Sequence, residues 1–331
     1  MDEPFWIQLV KAFVVANVVL AGFAYVTLAE RKILGRIQSR VGPNRAGIHG
    51  SLQPIADLLK LVRKEDFYPR EADPKSLYVF APFLSVVMAI GAIALIPFGD
   101  PITIGGQEIA LVGADLDIGL LLLFAFSGIG FYGLILGGWA SGNKYSLLGS
   151  ARTAAQLVSY EVSLGLSVIG VIMLAQSLSL VEIVDAQRET VWYVLLQPLG
   201  FLVFLIAMVA EVNRVPFDLP ESESELVSGY STEYGGLKYA MFLMAEYINM
   251  IVISALCATL FLGGFAGPWA SGFWWLILKV AVIVFAFIWL RGTLPRLRYD
   301  QLMQLGWKVL LPLATINLVL TAIVIGLGFS D

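Results

Sequence analysis

The dominant pattern along the chain is a series of long apolar stretches separated by polar segments. A helix that crosses a bilayer needs about 20 apolar residues, because the hydrocarbon core is about 30 Å thick. Eight stretches approach this length, over residues 5–29, 77–97, 118–140, 154–178, 191–210, 239–262, 273–290 and 309–328. The pattern therefore predicts an all-α polytopic membrane protein in which residues 1–331 form a single integral membrane domain.

The first polar segment, residues 30–76, contains a shorter amphipathic pattern. Apolar residues recur at helical spacing at positions 52, 55, 58, 59 and 62, and basic residues lie at the end of the pattern. A pattern of this length is too short to cross a bilayer but is typical of a helix that lies at the membrane surface. We therefore expect about eight transmembrane helices, one short interfacial helix and structured loops.

The composition agrees with this class and limits the chemistry of the chain. Hydrophobic residues make up 58% of the sequence and charged residues 14%, against about 25% charged in soluble proteins. The chain has one cysteine, Cys257, and one histidine, His49. Iron–sulfur clusters and structural zinc sites each need about four such ligands. We expect no metal, bound cofactor or nucleic-acid partner, so any redox centre must belong to another subunit.

Basic residues are distributed unequally between the two sets of loops. Eighteen of the 21 Lys and Arg residues lie in loops 30–76, 141–153, 211–238 and 291–308, whereas Arg188 alone lies in a loop on the opposite side. Because Lys and Arg are enriched in cytoplasmic loops, these four loops are predicted to be cytoplasmic. Both termini are then predicted to lie on the outer side of the membrane.

Three glutamates lie within the predicted spans or at their edges: Glu161, Glu211 and Glu246. A charged side chain at the centre of a bilayer costs about 2.5–3.5 kcal/mol on insertion scales, and such residues often mark proton or ion paths. Snorkelling or helix pairing would account for a single glutamate near a helix end. Three glutamates, together with Lys11 and Lys279 in other spans, favour a function such as proton relay.

The loop 211–238 carries the densest cluster of acidic residues. They are Glu211, Asp218, Glu221, Glu223, Glu225 and Glu233. Arg214 is the only basic residue before Lys238, and apolar residues such as Phe217 and Tyr230 are interspersed among the acids. A solvated acidic surface would not need these apolar residues. The pattern predicts a folded loop that packs against a partner or a cavity.

Small residues in two spans predict close helix packing. Gly133 and Gly137 form a GxxxG pattern, which lets two helix backbones approach each other closely. In the next span a stripe of serines lies on the helix face opposite Glu161. The serine stripe is typical of helix–helix contacts, so Glu161 is the better functional candidate in that span.

Several motifs follow one another in a specific order along the chain. They are ERK at 30–32, RVGPNR at 40–45, LQPIAD at 52–57, SYE at 159–161, AEVNRVPFDLPESESEL at 210–226 and LPRLRYDQLM at 294–303. In this order the sequence resembles the H subunit of respiratory complex I, the proton-pumping NADH:quinone oxidoreductase (the mitochondrial subunit 1 family). The resemblance covers nearly the whole chain.

The resemblance implies a membrane subunit that forms the quinone entrance and part of the quinone chamber together with peripheral-arm subunits. It also implies that buried carboxylates couple quinone reduction to proton translocation. Quinone is then the substrate, whereas NADH, FMN and iron–sulfur clusters belong to partner subunits. Small membrane-arm subunits would continue the proton path. The implied location is the lipid bilayer of a bacterial cell (inner) membrane.

The resemblance also assigns roles to individual residues. The proton path would use Glu161, Glu211, Glu246, Asp218, Glu221, Glu223, Glu225 and Glu233. Arg214 would hold the acidic loop by ion pairing. The quinone entrance and chamber would include Glu30, Arg31, Arg36, Asp57, Lys60 and Phe217. No catalytic residue is expected, because the chain carries no redox centre.

Three alternatives remain open from the sequence. The chain could be the homologous membrane subunit of a hydrogenase- or ferredoxin-linked ion-pumping complex, a stand-alone ion transporter, or a purely structural anchor. The complete acidic loop and the entrance motifs favour the quinone enzyme. The absence of repeat symmetry in the sequence argues against the transporter.

Overall fold

The residues that the computed structural model describes, 4–104, 107–219 and 227–327, are mostly helical. In chain order the helices are α1 (Phe5–Ile37), α2 (Gln53–Arg63), α3 (Lys75–Ile93), α4 (Gly119–Ala140), α5 (Lys144–Ala175), α6 (Leu180–Glu189), α7 (Tyr193–Leu196), α8 (Pro198–Glu211), α9 (Gly236–Phe261), α10 (Phe273–Thr293), α11 (Tyr299–Gln304) and α12 (Leu311–Gly326). A π-helical turn, Leu305–Leu310, joins α11 to α12. Short 3-10 turns occur at Ile48–Gly50 and Gly229–Ser231.

Among the described residues, seven helical segments are long and apolar enough to cross a membrane. They are α1, α3, α4, α5, α9, α10 and the continuous segment Tyr299–Gly326. Of the most apolar 18 residues of α9, 61% are buried, whereas in α1 this share is 11%. Helix α9 therefore lies at the centre of the bundle and α1 at its edge. The predicted class, an all-α polytopic membrane protein, is confirmed.

The fifth predicted span, 191–210, differs from the others because its helix is broken. Helix α7 ends at Leu196, and α8 begins again at Pro198 after the non-helical residue Gln197. A proline disfavours helical backbone in the residue before it. The 14 residues of α8 extend only about 21 Å at about 1.5 Å per residue. Where the sequence predicted eight spans, the described residues thus contain seven long helical segments and, for the fifth span, the short helix α8.

Polar side chains of α12 stabilise this break. Gln197 Nε2 donates a hydrogen bond to Thr321 Oγ1 at 2.7 Å, and Asn317 Nδ2 donates to Gln197 Oε1 at 2.7 Å. All three side chains are buried. The break between α7 and α8 is therefore held against α12 by hydrogen bonds in an otherwise apolar interior.

Helix α5 begins at Lys144, ten residues before the predicted span. Asn143 caps it, because its side chain accepts a hydrogen bond from the backbone N–H of Tyr145 at 2.9 Å. The predicted cytoplasmic loop 141–153 is therefore mostly helical. Hydropathy misses this first part of α5 because polar residues interrupt the apolar run, although they do not interrupt the helix.

Close packing at the GxxxG pattern is confirmed. A Cβ atom at Gly133 would lie 2.6 Å from the carbonyl oxygen of Ala81 in α3, and one at Gly137 would lie 2.8 Å from the ring of Phe242 in α9. These distances are too short for a side chain. The two glycines therefore let α4 pack directly on α3 and α9.

The amphipathic helix predicted in the first polar segment is present as α2, and its position at the membrane surface stays a prediction. Its apolar stripe, Ile55, Leu58, Leu59 and Val62, is more than half exposed in the isolated chain. Arg31 of α1 pairs with Asp57 of α2 at 2.6 Å and fixes the two helices to each other. The apolar face of α2 is therefore not covered by the rest of this chain.

One feature that the sequence pattern did not predict is a two-stranded antiparallel sheet between α3 and α4. Strands β1 (Gly99–Ile104) and β2 (Gln107–Leu111) pair so that Ile102 lies opposite Ile109. Arg188 of α6 pairs with Asp100 of β1 at 2.8 Å. The hairpin is therefore tied to the segment that precedes α7.

Candidate functional site

Two of the predicted glutamates form a polar cluster inside the bundle. Glu211, the last residue of α8, is buried, and its Oε1 accepts a hydrogen bond from Ser127 Oγ of α4 at 3.1 Å. Glu161 of α5 is half-buried and faces Gly128 of α4, where a Cβ atom would lie 3.6 Å from Glu161 Oε1. Within the described part of the chain, neither carboxylate has a basic partner within 4.0 Å. A proton can therefore neutralise either one without breaking an ion pair.

Two small cavities adjoin Glu211. Each has a volume of about 20 Å³, enough for about one water molecule. Glu211 and Asn249 line both cavities, Glu246 lines the first, and Ser127 lines the second. Glu211 and Glu246 thus line one cavity that is large enough for about one water molecule.

A second cluster is built around the guanidinium of Arg214, which is 7% exposed. Its Nη1 lies 3.2 Å from Glu30 Oε1 of α1, and its Nε lies 2.8 Å from Glu246 Oε1 of α9. The guanidinium also stacks over the ring of Tyr247, 4.4 Å from the ring centroid. Arg291 of α10 pairs with Glu30 as well. The cluster thus joins α1, α9 and α10 to the segment that follows α8.

The charge of Arg214 is stabilised by its neighbours. Burial alone would lower the pKa of Arg214, but Glu246 and Glu30 raise it above its ordinary value. A buried cation with two acidic partners stays ionised. Arg214 therefore acts as a fixed positive charge between two carboxylates.

Helix α5 determines where the Arg214 segment leaves α8. Gln156 Nε2 donates hydrogen bonds to the backbone oxygen of Ala210 at 2.8 Å and to Asn213 Oδ1 at 3.0 Å. The last carbonyl groups of a helix lack partners within the helix, and Gln156 supplies one here. Asn213 adopts a left-handed conformation with φ 54°. This turn directs Arg214 back into the bundle.

The acidic loop is folded where it is described. Asp218 Oδ2 lies 3.3 Å from Arg296 Nη2, and the backbone N–H of Leu297 donates to the oxygen of Pro216 at 3.0 Å. Glu233 Oε1 accepts a hydrogen bond from Asn143 Nδ2 at 2.5 Å. The other predicted acids of the loop, Glu221, Glu223 and Glu225, lie outside the described residues.

An open cavity of about 460 Å³ lies beside the Arg214 cluster, between α1, α9 and α10. It is lined by Glu30, Arg31, Leu34, Gln38, Tyr247, Arg291 and Gly292. Its inner end is polar because Glu30 and Arg291 meet there. Cavities of about 300–1,000 Å³ commonly hold small molecules, so this one can admit the polar head of an amphiphilic molecule.

The structure brings together some of the residues predicted for the entrance and not others. Glu30 and Arg31 line the open cavity, and Asp57 pairs with Arg31 at its rim. Arg36 and Lys60 are exposed and do not line it. Phe217 is buried against Tyr160, with 5.5 Å between ring centroids, so it belongs to the core of the bundle and not to the cavity wall.

Sequence reasoning missed several polar residues of this region. Ser127 and Asn249 lie in apolar stretches and carry no charge, so composition does not mark them. Asn249 follows Glu246 by three residues, a spacing that places both on one helix face, and this signal could have identified it. Tyr247 and Arg291 join the cluster only through the tertiary fold. Among the described residues, no group of three or more His, Cys, Asp or Glu side chains is arranged to hold a metal ion.

Comparison with known proteins gives consistent matches over nearly the whole chain. The sequence model of a family described as NADH dehydrogenase matches residues 10–322. The chain is 54% identical over 321 residues to the NADH-quinone oxidoreductase H subunit of Thermomicrobium roseum, covering 94% of each chain. It is 54% identical over 315 residues to an H subunit of Geobacter metallireducens, covering 95% of each chain. The H subunit of Deinococcus radiodurans is 50% identical over 332 residues, which cover 96% of this chain and 83% of the relative.

The Arg214 cluster predicts a large stability difference between two arginine substitutions. Removing one partner of a buried ion pair costs about 3–5 kcal/mol, whereas an exposed pair contributes about 0–1 kcal/mol. We expect Arg214→Gln to lower the thermal unfolding midpoint and the folded yield of the detergent-solubilised protein strongly. Arg298→Gln, which removes an exposed pair with Asp300, is the matched control and should have little effect.

A second substitution separates lost charge pairing from lost packing. Adding Glu246→Gln to Arg214→Gln removes one of the carboxylates left without its cation, so part of the lost stability should return. Equal stability of the Arg214→Gln and Arg298→Gln proteins would contradict the central role of this cluster.

Proposed function

The chain belongs to the NADH dehydrogenase family as the H-type membrane subunit of an NADH-quinone oxidoreductase, and from this membership we propose that it admits quinone and couples its reduction to proton movement. The named relatives favour the quinone enzyme over a hydrogenase- or ferredoxin-linked complex and over a stand-alone transporter. With one cysteine and one histidine in the chain, iron–sulfur clusters are assigned to partner subunits, and the resemblance to the H subunit assigns NADH and FMN to partner subunits as well.

The open cavity between α1, α9 and α10 supports the proposed quinone entrance. Its polar inner end, at Arg291 and Tyr247, offers donors to the carbonyl oxygens of a quinone head, and Leu34 adds an apolar wall. The exposed apolar stripe of α2 is attached to the rim through the pair of Arg31 and Asp57. Lipid-dissolved quinone would therefore reach the cavity from the membrane surface, and Arg36 and Lys60, which do not line the cavity, are left out of the proposed path.

The observation that carries the coupling proposal is the small cavity shared by Glu211 and Glu246. Reduction of a quinone to quinol consumes two electrons and two protons, so it changes the charge or protonation beside Glu30. Arg214 contacts both Glu30 and Glu246. A change at the open cavity thus acts through Arg214 on Glu246 and, through one water, on Glu211.

Glu161 is the residue through which protons leave this chain in the proposed path. It is half-buried, whereas Glu211 is fully enclosed. Ser127 bonds to Glu211, and Glu161 faces the same helix, α4, one residue further along. We assign the continuation of the path to small membrane-arm subunits that contact the bundle near Glu161, and we assign the peripheral-arm subunits to the side of the acidic loop.

Glutamine substitutions test the proton path. Glu161→Gln and Glu211→Gln keep the shape of the side chain but cannot carry a proton. Since a positioned proton-transfer group contributes about 10²–10⁴-fold, we expect at least a tenfold loss of NADH:quinone reductase activity and of proton pumping in the assembled complex. Both activities can be measured in membrane vesicles with a decylquinone substrate and a pH-sensitive dye.

The matched control is Glu189→Gln, which changes an exposed glutamate at the end of α6. It should leave turnover and pumping unchanged. Assembled Glu161→Gln and Glu211→Gln complexes with normal turnover would overturn the proposed path and would favour a purely structural anchor.

The cavity mouth gives a second test. Gln38 lines the open cavity, whereas Arg36 lies two residues earlier on α1 and does not. Gln38→Trp narrows the cavity and should raise the KM for quinone about five- to thirtyfold, equivalent to about 1–2 kcal/mol of binding free energy. Arg36→Trp should leave KM nearly unchanged. Equal KM values for the two variants would show that quinone enters elsewhere.

Cysteine labelling tests the proposed orientation, with both termini outside a bacterial cell membrane. The single native cysteine, Cys257, is buried, so background labelling should be low. In intact spheroplasts, a membrane-impermeant maleimide should label Leu327→Cys, at the exposed end of α12, but not Lys64→Cys, in the predicted cytoplasmic loop. The reverse pattern would invert the orientation.

A further inference from the structure

A groove between the first turns of α3 and α9 belongs to neither cluster described above. It has a volume of about 630 Å³ and is open to the surface of the bundle. Its polar end contains Asp66, Tyr68, Ser76 and Lys238. Its apolar wall contains Val79, Phe80, Phe83, Leu237 and Met241. The groove therefore has the amphiphilic character of a lipid molecule.

Lys238 dominates the polar end, although it is only 6% exposed. Its Nζ lies 3.0 Å from Asp66 Oδ2 and 3.6 Å from the centroid of the Tyr68 ring. The ring of Tyr78 approaches from a second direction at 5.0 Å. Aromatic faces attract cations but accept no conventional hydrogen bond. Among the described residues, Asp66 is the only acidic side chain paired with this ammonium group.

The surroundings hold the lysine in place. Tyr78 stacks on Tyr234 with 4.3 Å between ring centroids, and the hydroxyl of Tyr234 donates to the backbone oxygen of Tyr78 at 3.0 Å. Asp66, in contrast, is 41% exposed. The polar end thus has an enclosed ammonium group directly behind an accessible carboxylate.

The apolar wall continues from this polar end along one face of α3. Ser76, Val79, Phe80 and Phe83 recur at the three- and four-residue spacing of a single helix face. Val79, Phe80 and Phe83 are about half exposed. From Ser76 to Phe83 the face extends about 10 Å at about 1.5 Å per residue. A bound chain would therefore run along α3 away from the charged end.

We propose that this groove binds a phospholipid whose headgroup carries both a phosphate and a primary amine. The phosphate lies toward Lys238, the amine pairs with Asp66, and an acyl chain packs on Phe80 and Phe83. The charge pattern selects this class, because Lys238 and Asp66 offer one charge of each sign. A headgroup with only a negative charge would meet repulsion from Asp66.

Photo-crosslinking in the purified, assembled complex tests the proposal. The two probes are phosphatidylethanolamine and phosphatidylglycerol, each with a photoactivatable diazirine in one acyl chain. Mass spectrometry then maps the labelled peptides. In the unmodified complex we expect the ethanolamine probe to label residues 75–93 about fivefold more than the glycerol probe, the factor expected for a single exposed charge pair.

Asp66→Asn is the decisive variant, because it removes the carboxylate and leaves Lys238 in place. The preference for the ethanolamine probe should disappear or reverse. Phe83→Ser should lower the labelling by both probes, because it removes part of the apolar wall without touching the charged end. Asp300→Asn, the same substitution in an exposed pair away from the groove, should behave as the unmodified complex.

Two outcomes would overturn the proposal. Equal labelling by both probes that Asp66→Asn does not change would exclude headgroup recognition. If neither probe labels α3, and a carbene generated from a photoactivatable residue in place of Val79 links to a partner subunit instead, a partner helix occupies the groove. Because Asp66 and Phe83 are both exposed, these tests do not depend on a Lys238 variant that assembles.

Discussion

The ion-pair cluster around Arg214 is the interaction on which the rest of the interior depends. Arg214 and Glu30 lie 184 residues apart in the sequence, and Glu246 belongs to the most buried span. A charge removed from water must find partners, or the fold loses several kcal/mol. The cation therefore fixes where α1, α9 and α10 lie relative to the end of α8.

The interior separates its carboxylates into two kinds. Glu30 and Glu246 are paired with arginines, so their charge is compensated and their geometry is fixed. Glu211 accepts a hydrogen bond from Ser127 of α4, and Glu161 lies beside Gly128 of the same helix, but neither has a cation beside it within the described residues. Paired acids suit the transmission of an electrostatic change, whereas unpaired acids suit the uptake and release of protons. One acid of each kind, Glu246 and Glu211, lines the same small cavity.

Hydropathy and charge were sufficient to predict the class of protein, most of the long helices, the amphipathic helix α2 and the presence of buried glutamates. These predictions failed where a single residue breaks or caps a helix, because average hydropathy does not register such an effect. Pro198 breaks a span that is apolar except for Gln197, and the Asn143 cap starts α5 among polar residues. Pairings such as that of Glu30 with Arg214 could not be predicted, because no local spacing relates residues so distant in sequence. Phe217 lies in an acidic segment but packs in the core, because burial of an aromatic ring is favourable whatever the charge of its neighbours in sequence.

The shortness of α8 has an electrostatic consequence for Arg214. The aligned peptide dipoles of a helix leave about half a negative charge at its C-terminal end. Helix α8 ends at Glu211, within the protein, and Arg214 follows three residues later. The negative end of its macrodipole therefore lies within the protein, next to the turn that leads to Arg214, the cation that Glu30 and Glu246 bind. A longer helix would place this end at the membrane surface, where water screens its field.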